Sequence, residues 1–486
     1  MTDGAYGAFL ESKAIRAPLR GLDHIPSLAP HLFPFQRAAV EFGLRAGSWG
    51  LFFDTGLGKT ACELEWCKLA AAESNGQALI LTPLAVARQI ETEGKRWGYS
   101  VRVIREQAEA GPGINICNYD RLEKLDPQAF GAIALDESSI LKAFTGRTSR
   151  SLIEAFAGHR WRMAATATPA PNDHMELGQH AEFCRVMSGV EMLSRFFIND
   201  TGTASQEWRL KGHAVTSFWN WMASWTRMAE HPRDMGDPIE GFDLPPIEIH
   251  RHQAGGEITV PGELFAGLAV SATDMHMVKR QTADARAEIV ASLVDADRKE
   301  PWIVWCDTDY EADALMRAMQ ANGAAVQEVR GSHPLERKES VLDGFASGAI
   351  RVIVTKPAIC GHGLNWQHAA RMAFVGRTFS YESYYQAVRR CWRFARQASR
   401  CSCWLFPWPT TRSLAACGTC SSVTRSRSCR SSALRLGTSS GRRAAWPDRS
   451  GRVRAVRAWR RRSPCRYSRR SSSVRQRSTC FVSIAS

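Results

Sequence analysis

Residues 52–60, FFDTGLGKT, decide how this sequence is interpreted. A short apolar run, predicted to be a β-strand, leads into two glycines and then into the helical pattern KTACELEWCKLA of residues 59–70. A glycine turn between a strand and a helix lets main-chain N–H groups surround a phosphate at the positive end of the helix. This context favours a nucleotide site over a structural glycine turn.

The side chains of this turn have separate predicted tasks. Lys59 reaches the β- and γ-phosphate oxygens, Thr60 binds Mg²⁺, and the glycines allow the main chain to approach closely. The strict eight-residue pattern requires a glycine where Phe53 stands, so the match departs from it at one position. The predicted nucleotide-binding residues of the turn are Thr55, Gly56, Leu57, Gly58, Lys59 and Thr60.

An acidic pair follows a second apolar run, in AIALDESS of residues 132–139. Asp136 is predicted to hold Mg²⁺ through water, and Glu137 to polarise the attacking water, since phosphoryl transfer depends mostly on positioned charge. By itself an Asp-Glu pair after a strand could be a helix cap. A phosphate loop about 80 residues upstream makes the catalytic interpretation the stronger one.

Short apolar runs alternate with longer amphipathic stretches between Leu51 and Val375, which is typical of parallel sheets covered by helices. The predicted strands fall into two clusters, one before about residue 170 and one after about residue 300. We therefore predict an α/β fold of two parallel-sheet domains in tandem. The predicted strands are GLFF, ALILT, INICNY, AIALD, WIVWC, VQEV, RVIVT and RMAFVG.

The interval between the clusters is predicted to be a helical insertion rich in tryptophan. Its aromatic and methionine residues recur at helical spacing, and such a stripe is more often buried core than a base-stacking surface. The stripe is Phe218, Trp221, Met222, Trp225 and Met228. The predicted organisation is an N-terminal segment 1–24, a first domain 25–177, an insertion and linker 178–248, a second domain 249–396 and a tail 397–486.

The formal charge of +15 resides in the tail. From Gln397 to Ser486 the chain has 20 arginines, no lysine and one acidic residue, whereas the remainder has 43 basic and 47 acidic residues. The total charge therefore says nothing about what the body of the chain binds.

Three interpretations of the tail compete: a disordered basic arm, a cysteine-rich metal module, and an out-of-frame translation. Cys417 and Cys420 have ligand spacing without a second pair, so no structural zinc is expected. Arginine without lysine is unusual for an arm that attracts phosphate, which favours the frameshift.

Seven stretches resemble superfamily-two helicases in order and spacing, most closely the Snf-type branch and the DEAD/DEAH-like helicases of phages and prophages. They lie between residues 54 and 394: DTGLGKT, LTPLAVARQIETE, ICNYDRL, LDESSILK, TATPAPNDHMEL, GHGLNW and QAVRRCWRF. The resemblance implies two RecA-like domains, ATP with Mg²⁺ as the nucleotide and cofactor, and ATP-driven movement on DNA.

Further residues follow from the resemblance. It implies that Gln36 contacts the adenine edge and that Gly363 completes the nucleotide site. Arg330, Gly331 and Arg337 resemble the strand-to-helix signature of the family's second domain. The implied nucleic-acid residues are Thr82, Pro83, Asn118, Tyr119, Thr166, Thr168, Asn172, Gly361 and Asn365, where Ala167 lies between the two threonines. His362 is interpreted as a loop histidine rather than a metal ligand.

QAVRRCWRF, residues 386–394, is predicted to be helical, with Arg390 and Arg393 on one face. A solvated basic face is the alternative to two guanidinium groups that face a phosphate. In the family these two arginines reach from the second domain to the γ-phosphate, so the resemblance implies that both are catalytic. After Phe394 the family pattern of glycine-glutamine is replaced by ARQ, and no further strand is recognisable.

The sequence thus predicts a nucleic-acid-stimulated ATPase, acting on duplex or branched DNA. The alternatives are a strand-separating or RNA-directed helicase, and a motor-dead protein that binds nucleic acid through its tail. No apolar run approaches the ~18 residues of a membrane span, and residues 1–18 lack a targeting pattern. A cytoplasmic protein without membrane contact is therefore expected.

Overall fold

The computed structural model describes residues 15–142, 146–200, 207–252, 272–360, 366–377, 380–394, 401–406, 438–447 and 453–459. The chain forms two compact units, one of Met1–Gly255 with Lys279–Phe406 and the other of Gly256–Val278 with Pro407–Ser486. The first unit contains two sheets in which every strand pairing is parallel. We call the part of the chain around each sheet the first lobe and the second lobe.

The first lobe is built on a seven-stranded sheet. The strands up to residue 229 are β1 (Ser48–Phe53), β2 (Gln77–Thr82), β3 (Val101–Val103), β4 (Gly113–Asn118), β5 (Ala132–Asp136), β6 (Trp161–Ala165), β7 (Phe197–Asp200), β8 (Glu207–Leu210) and β9 (Thr226–Ala229). The sheet has the order β3-β4-β2-β5-β6-β1-β9, while β7 and β8 form a separate antiparallel pair. Apolar side chains fill both faces of the central strands, as expected for a parallel sheet covered by helices.

The helices of the first lobe cover these two faces. They are α1 (Pro34–Ala46), α2 (Lys59–Ala72), α3 (Ala87–Arg96), α4 (Arg147–Ala155), α5 (Leu177–Phe183), α6 (Gly189–Phe196) and α7 (Val215–Trp225). Helix α2, which follows the phosphate loop, is buried along most of its length. Among the helices of the described residues, none is both long enough and apolar enough to cross a membrane.

The second lobe is built on a six-stranded sheet of order β10-β15-β14-β11-β13-β12. Its strands are β10 (Ile247–Arg251), β11 (Trp302–Trp305), β12 (Val326–Val329), β13 (Val352–Thr355), β14 (Arg371–Phe374) and β15 (Cys401–Leu405). The helices after residue 271 are α8 (Ala272–Gln281), α9 (Ala283–Ala296), α10 (Asp309–Ala321), α11 (Leu335–Ala346), α12 (Pro357–Cys360) and α13 (Tyr381–Val388).

The predicted α/β fold of two parallel sheets is confirmed, and each of the eight predicted strands is present. Strand β6 was not predicted because Arg162 interrupts its apolar run. That arginine is fully buried, and its guanidinium donates to the carbonyl oxygens of His159 (2.9 Å), Phe183 (2.6 Å) and Ala157 (3.0 Å). Main-chain acceptors thus allow a charged side chain inside the sheet.

The aromatic stripe is core, as predicted. Phe218, Trp221, Met222 and Trp225 are each at most 1% exposed and pack against the first sheet. Met228 does not belong to the helix, which ends at Trp225. It lies on β9, beside β1. Residues 178–248, predicted as a helical insertion and linker, contain the helices α6 and α7 and also supply a strand to the first sheet and a separate antiparallel pair.

The tail differs from the prediction at its beginning. Residues Cys401–Leu405 form β15, which pairs with both β10 and β14, so the expectation that no further strand closes the second domain is wrong. Four of the five residues of β15 are buried, as expected for an interior strand of a parallel sheet, and the high cysteine content concealed this strand in the sequence. In the second unit, β16 (Thr438–Pro447) pairs antiparallel with β17 (Val453–Trp459). Cys417 and Cys420 lie outside the described residues.

Two truncations test the place of β15 in the sheet. A chain that ends at Arg396 loses the strand between β10 and β14, so we expect the second lobe to unfold at a lower temperature and to be cleaved more readily by protease. A chain that ends at Phe406 retains β15 and serves as the matched control. Equal melting temperatures for the two chains would contradict the assignment of β15.

Candidate nucleotide site

The phosphate loop lies between β1 and α2, at the carboxyl end of the first sheet. Phe53, the residue that departs from the strict pattern, is the buried last residue of β1. Gly56 and Gly58 have φ angles of 95° and 75°, in the left-handed region that glycine adopts without strain. Gly58 precedes α2 and gives it no side-chain cap, so the first N–H groups of the helix remain suited to an anion.

Two polar side chains hold the loop. The Lys59 ammonium donates to the Phe53 carbonyl oxygen at 3.1 Å, across the turn. The Gln36 amide donates to the Leu57 carbonyl oxygen at 3.0 Å and accepts from the Phe33 N–H at 3.0 Å. The Gln36 amide N–H group therefore joins α1 to the loop, while its carbonyl oxygen caps the start of α1, and the side chain is only 4% exposed.

The acidic pair stands at the end of β5, two strands away from β1. Asp136 accepts a hydrogen bond from the Thr82 hydroxyl at 2.8 Å, and burial, together with the neighbouring Glu137 charge, raises the pKa of Asp136 to about 6. Glu137 has a φ of 54°, which is rare for a residue with a side chain and is typical of functional sites. Its Oε2 lies 3.4 Å from the Thr166 hydroxyl.

A third carboxyl group, Glu63, was not predicted. It lies one turn after Lys59 on α2, is fully buried, and neither of its oxygens has a hydrogen-bond partner within the described residues. Burial, and next the Asp136 charge, raise its pKa well above the usual range of a glutamate. The i, i+4 spacing from Lys59 was the available signal in the sequence.

Thr166, Ala167 and Thr168, which we call the threonine motif, connect the two lobes. Thr166 accepts a hydrogen bond from the Thr168 N–H at 3.1 Å, and the Thr168 hydroxyl donates to Glu382 of α13 at 3.0 Å. Gln386, also on α13, lies within 3.4 Å of both Glu137 and Thr168. Side chains of the second lobe thus contact the acidic end of β5 directly.

The arginine segment is only partly helical. Helix α13 ends at Val388, and Arg389 to Cys391 continue as turns, so the predicted helix over residues 386–394 is wrong in its second half. The guanidinium of Arg389, a residue without a predicted role, reaches the phosphate loop. Its Nη2 donates to Asp54 at 3.2 Å and to the Thr55 carbonyl oxygen.

Arg390 and Arg393 are buried and feel the charge of the acidic pair. Arg390 donates through Nε to the Gln386 carbonyl oxygen at 2.9 Å, and Arg393 donates through Nε to the Arg389 carbonyl oxygen at 2.9 Å. Burial lowers the pKa of Arg390 to about 10 and that of Arg393 to about 9, and repulsion between the three guanidinium groups adds to the shift of Arg393. Buried cations held this close together favour an anionic ligand.

The residues implied for nucleic acid have different surroundings. Thr82, Thr166 and Thr168 are buried, and their hydroxyl groups face carboxylates, so direct contact with nucleic acid would require them to become exposed. Pro83, Asn118 and Tyr119 line a cleft between the lobes. Asn172 is exposed and bonds Glu176 at 2.8 Å. Gly361, His362, Gly363 and Asn365 lie outside the described residues.

The predicted strand-to-helix signature of the second domain lies where it was expected. Arg330 and Gly331 stand between β12 and α11, and Arg337 is exposed in the first turn of that helix. Arg330 forms ion pairs with Glu328 and Asp313. The strand-to-helix arrangement of this segment is confirmed.

Hydroxyl and carboxylate oxygens are the ligands that Mg²⁺ prefers. Thr60, in the first turn of α2, and Asp136, at the end of β5, supply one of each on the same edge of the first sheet. The donor chemistry of the site therefore fits Mg²⁺ held together with phosphate oxygens.

The raised pKa of Asp136 has a consequence for stability. Because its folded pKa of about 6 lies above the usual 3.8, the carboxyl group supports folding below pH 3.8, and this support is lost as the pH rises through about 6. We expect Asp136→Asn to be more stable than the parent chain at pH 8, by about 1–3 kcal/mol, with a smaller gain at pH 5. Thermal unfolding at the two pH values measures this.

Asp23→Asn, at an exposed position, is the control for that comparison. Asp136→Asn could gain the same stability at both pH values, or no more stability than Asp23→Asn. Either result would contradict the assignment of a buried carboxyl group with a raised pKa.

Similarity to known proteins agrees with this geometry. Residues 285–395 match the helicase conserved C-terminal domain. Protein p41 of Acyrthosiphon pisum secondary endosymbiont phage 1 is 25% identical over 409 residues, which cover 74% of this chain and 87% of the phage protein. Eukaryotic initiation factor 4A-III homolog B of Oryza sativa subsp. japonica is 22% identical over 29% of this chain and 38% of its own length.

Solved structures of two nucleic-acid complexes are also similar. The Sulfolobus solfataricus SWI2/SNF2 ATPase core in complex with double-stranded DNA has 15% identity and a TM-score of 0.39, over 78% of this chain and 88% of its own. S. cerevisiae Dbp5 bound to RNA and ADP BeF3 has 12% identity and a TM-score of 0.49, over 77% and 83%. Residues 285–395 thus match the helicase conserved C-terminal domain, and the chain as a whole is similar to a protein encoded by a phage.

Proposed function

We propose that the protein is an ATP-driven motor that moves on nucleic acid, with duplex or branched DNA as its preferred track. The observation that carries this proposal is the meeting of two sets of side chains from different lobes. The phosphate loop and the acidic pair come from the first lobe, and three buried arginines come from the second. A triphosphate bound at this place would be surrounded from both sides.

The proposed roles follow from charge and position. Lys59 and the N-terminus of α2 bind the phosphates, while Arg390 and Arg393 stabilise the negative charge that the transferred phosphoryl group carries. Glu137, at the end of β5, orients the attacking water. Thr60 and Asp136 would hold Mg²⁺, whose charge would neutralise the phosphate oxygens.

Movement would come from a change in how the lobes meet. ATP would contact both lobes only when they are closed, so its binding favours closure and its hydrolysis removes the link. Thr168, Glu382 and Gln386 join the lobes beside the hydrolytic glutamate, which supports a coupling between chemistry and closure.

We retain the proposed organisation with two changes. The nucleotide-binding domain, 25–177, is completed by β9 from the following segment 178–248, and the second domain, proposed as 249–396, is extended by β15 to Phe406 and begins with β10. A motor with these two domains would work in the cytoplasm of a bacterial or phage-infected cell.

The cleft between the lobes is the proposed nucleic-acid surface. It has a volume of about 770 Å³ and is lined by residues from both lobes, including Pro83, Asn118 and Tyr119 of the first. Its charged lining comprises three basic and six acidic residues: Arg88, Lys142, Lys338, Glu93, Asp120, Glu137, Glu339, Asp343 and Glu382. The excess of acidic residues opposes the binding of nucleic-acid phosphates. The basic residues must therefore be released from their acidic partners before they can bind a phosphate.

Two of these basic residues form ion pairs across the cleft. Arg88 of α3 lies 2.6 Å from Glu339 of α11, and Lys142 pairs with Glu382 of α13. A carboxylate opposite each cation occupies the position that a backbone phosphate would take. We infer that nucleic acid displaces these acidic side chains when it enters the cleft.

RNA is the second candidate track. The rice relatives include the DEAD-box ATP-dependent RNA helicase 21, which is 25% identical over 28% of this chain and 19% of its own length. A protein that binds nucleic acid through its tail without hydrolysing ATP is the remaining alternative. Rates of ATP hydrolysis measured with duplex DNA, single-stranded DNA and single-stranded RNA decide between these candidates.

The role of Arg393 is tested by Arg393→Ala. We expect the rate of ATP hydrolysis to fall by about a thousandfold, while ATP binding weakens only slightly. The reason is that an arginine that reaches the transferred phosphoryl group from the other lobe, a finger arginine, acts mainly on the transition state. Hydrolysis with saturating nucleic acid and equilibrium binding of a fluorescent ATP analogue give the two quantities. Arg371→Ala, which removes an ion pair with Asp297 in the same lobe, is the control. Normal turnover in Arg393→Ala would reject the role.

The nucleic-acid surface is tested by Glu339→Gln. Removal of this carboxylate frees Arg88, so we expect duplex DNA to bind about three- to tenfold more tightly and affinity to depend more steeply on salt. Glu336→Gln, an exposed position on the same helix, removes the same charge outside the cleft. Fluorescence anisotropy at several salt concentrations measures both variants. If both variants gained the same affinity for DNA, the effect would come from the change in net charge, and the proposed surface would be contradicted.

A further inference from the structure

Arg389 makes a buried ion pair across the two lobes. Its Nη2 lies 3.2 Å from Oδ2 of Asp54 and also donates to the Thr55 carbonyl oxygen. Tyr385, one turn earlier on α13, donates its hydroxyl to the other oxygen of Asp54 at 2.7 Å. Asp54 follows β1 directly and starts the phosphate loop, so the second lobe holds the first residues of that loop.

The surroundings of Arg389 make this contact specific. The side chain is fully buried, and its guanidinium carbon lies 5.2 Å from the ring centre of Phe394 and 5.4 Å from that of Trp392. The Phe394 ring also covers Gly56, where an added Cβ would approach the ring to 2.8 Å. Aromatic faces favour a cation and exclude water, so the ion pair is stronger than a surface pair.

The guanidinium is nevertheless incompletely paired. Its Nε and Nη1 are buried and have no hydrogen-bond partner within the described residues. Leaving buried donors unpaired destabilises a protein, so this arrangement is poorly explained as a device for stability alone. It fits a group whose place is set by the phosphate loop that it must contact.

We propose that Arg389 is a positioning residue for ATP hydrolysis, which sets the conformation of the phosphate loop from the second lobe through Asp54 and Thr55. This inference rests on the proposed function, and it gives Arg389 a task distinct from that of Arg390 and Arg393. The finger arginines act on the transition state. Arg389 acts on the loop that binds ATP, so its loss weakens ATP binding in the ground state as well.

The two roles separate in kinetic constants. For Arg389→Gln we expect the KM for ATP to rise by about tenfold to a hundredfold, because charge-assisted contacts to the loop are lost, while kcat falls less. Arg389→Lys retains the charge near Asp54 and should recover part of the affinity. Arg371→Gln, which breaks an Arg–Asp pair elsewhere in the second lobe, should leave both constants unchanged.

A double-mutant cycle tests whether Arg389 acts through Asp54. Asp54→Asn and Arg389→Gln should be non-additive, so that the KM of the double variant is no higher than that of the worse single variant. Tyr385→Phe removes a second contact to the same carboxylate and should raise KM by a smaller factor. The two single variants Tyr385→Phe and Arg389→Lys keep the test decisive if Arg389→Gln fails to fold.

Binding of fluorescent ATP and ADP analogues to the full chain separates this inference from the proposed function. A parent chain without ATP hydrolysis on any nucleic acid would reject the motor, and the binding constants of the Arg389 variants would still decide on the loop contact. If the parent hydrolyses ATP while Arg389→Gln binds and turns over ATP like the parent, only the positioning role is rejected. Additive effects of Asp54→Asn and Arg389→Gln would also overturn it.

Discussion

Parallel strand pairing is the constraint on which the site depends. Strand β1 pairs in parallel with β6 and β9, and β5 pairs in parallel with β6 and β2. The strands all run the same way, so the segments that leave their carboxyl ends emerge at one edge of the sheet. The phosphate loop, the acidic pair and the threonine motif are therefore brought together although they are far apart in the sequence.

Electrostatics then explains why two lobes are needed. The first lobe places Glu63, Asp136 and Glu137 near one another in a buried region, where burial, and next the charge of a neighbouring carboxylate, raise the pKa of the first two. The second lobe places Arg390 and Arg393 near these carboxyl groups and Arg389 beside the phosphate loop. The opposite charges of the two lobes offset part of the free-energy cost of burying each other. A bound polyphosphate with Mg²⁺ would bring the site closer to electrical neutrality.

The sequence predicted most of the fold and the identity of the charged groups, for identifiable reasons. Buried parallel strands are continuous apolar runs, so eight were found, while β6 was missed because Arg162 interrupts it. The cysteines of β15 were interpreted by composition, although they belong to a short strand that is mostly buried. The helical prediction for residues 386–394 was wrong after Val388, because a pattern of arginines at helical spacing can also be satisfied by consecutive turns.

The sequence by itself determined which chemistry is present: a glycine turn before a helix, an acidic pair after a strand, and a group of arginines. These are local patterns, and local geometry is enough to relate them to phosphate. Only the tertiary structure decided which arginine reaches the loop, since Arg389 contacts Asp54 across more than 300 residues of chain. It also decided that the threonine hydroxyls face carboxylates. Such pairings depend on how the two lobes pack against each other, and the spacing of residues within one segment cannot predict that packing.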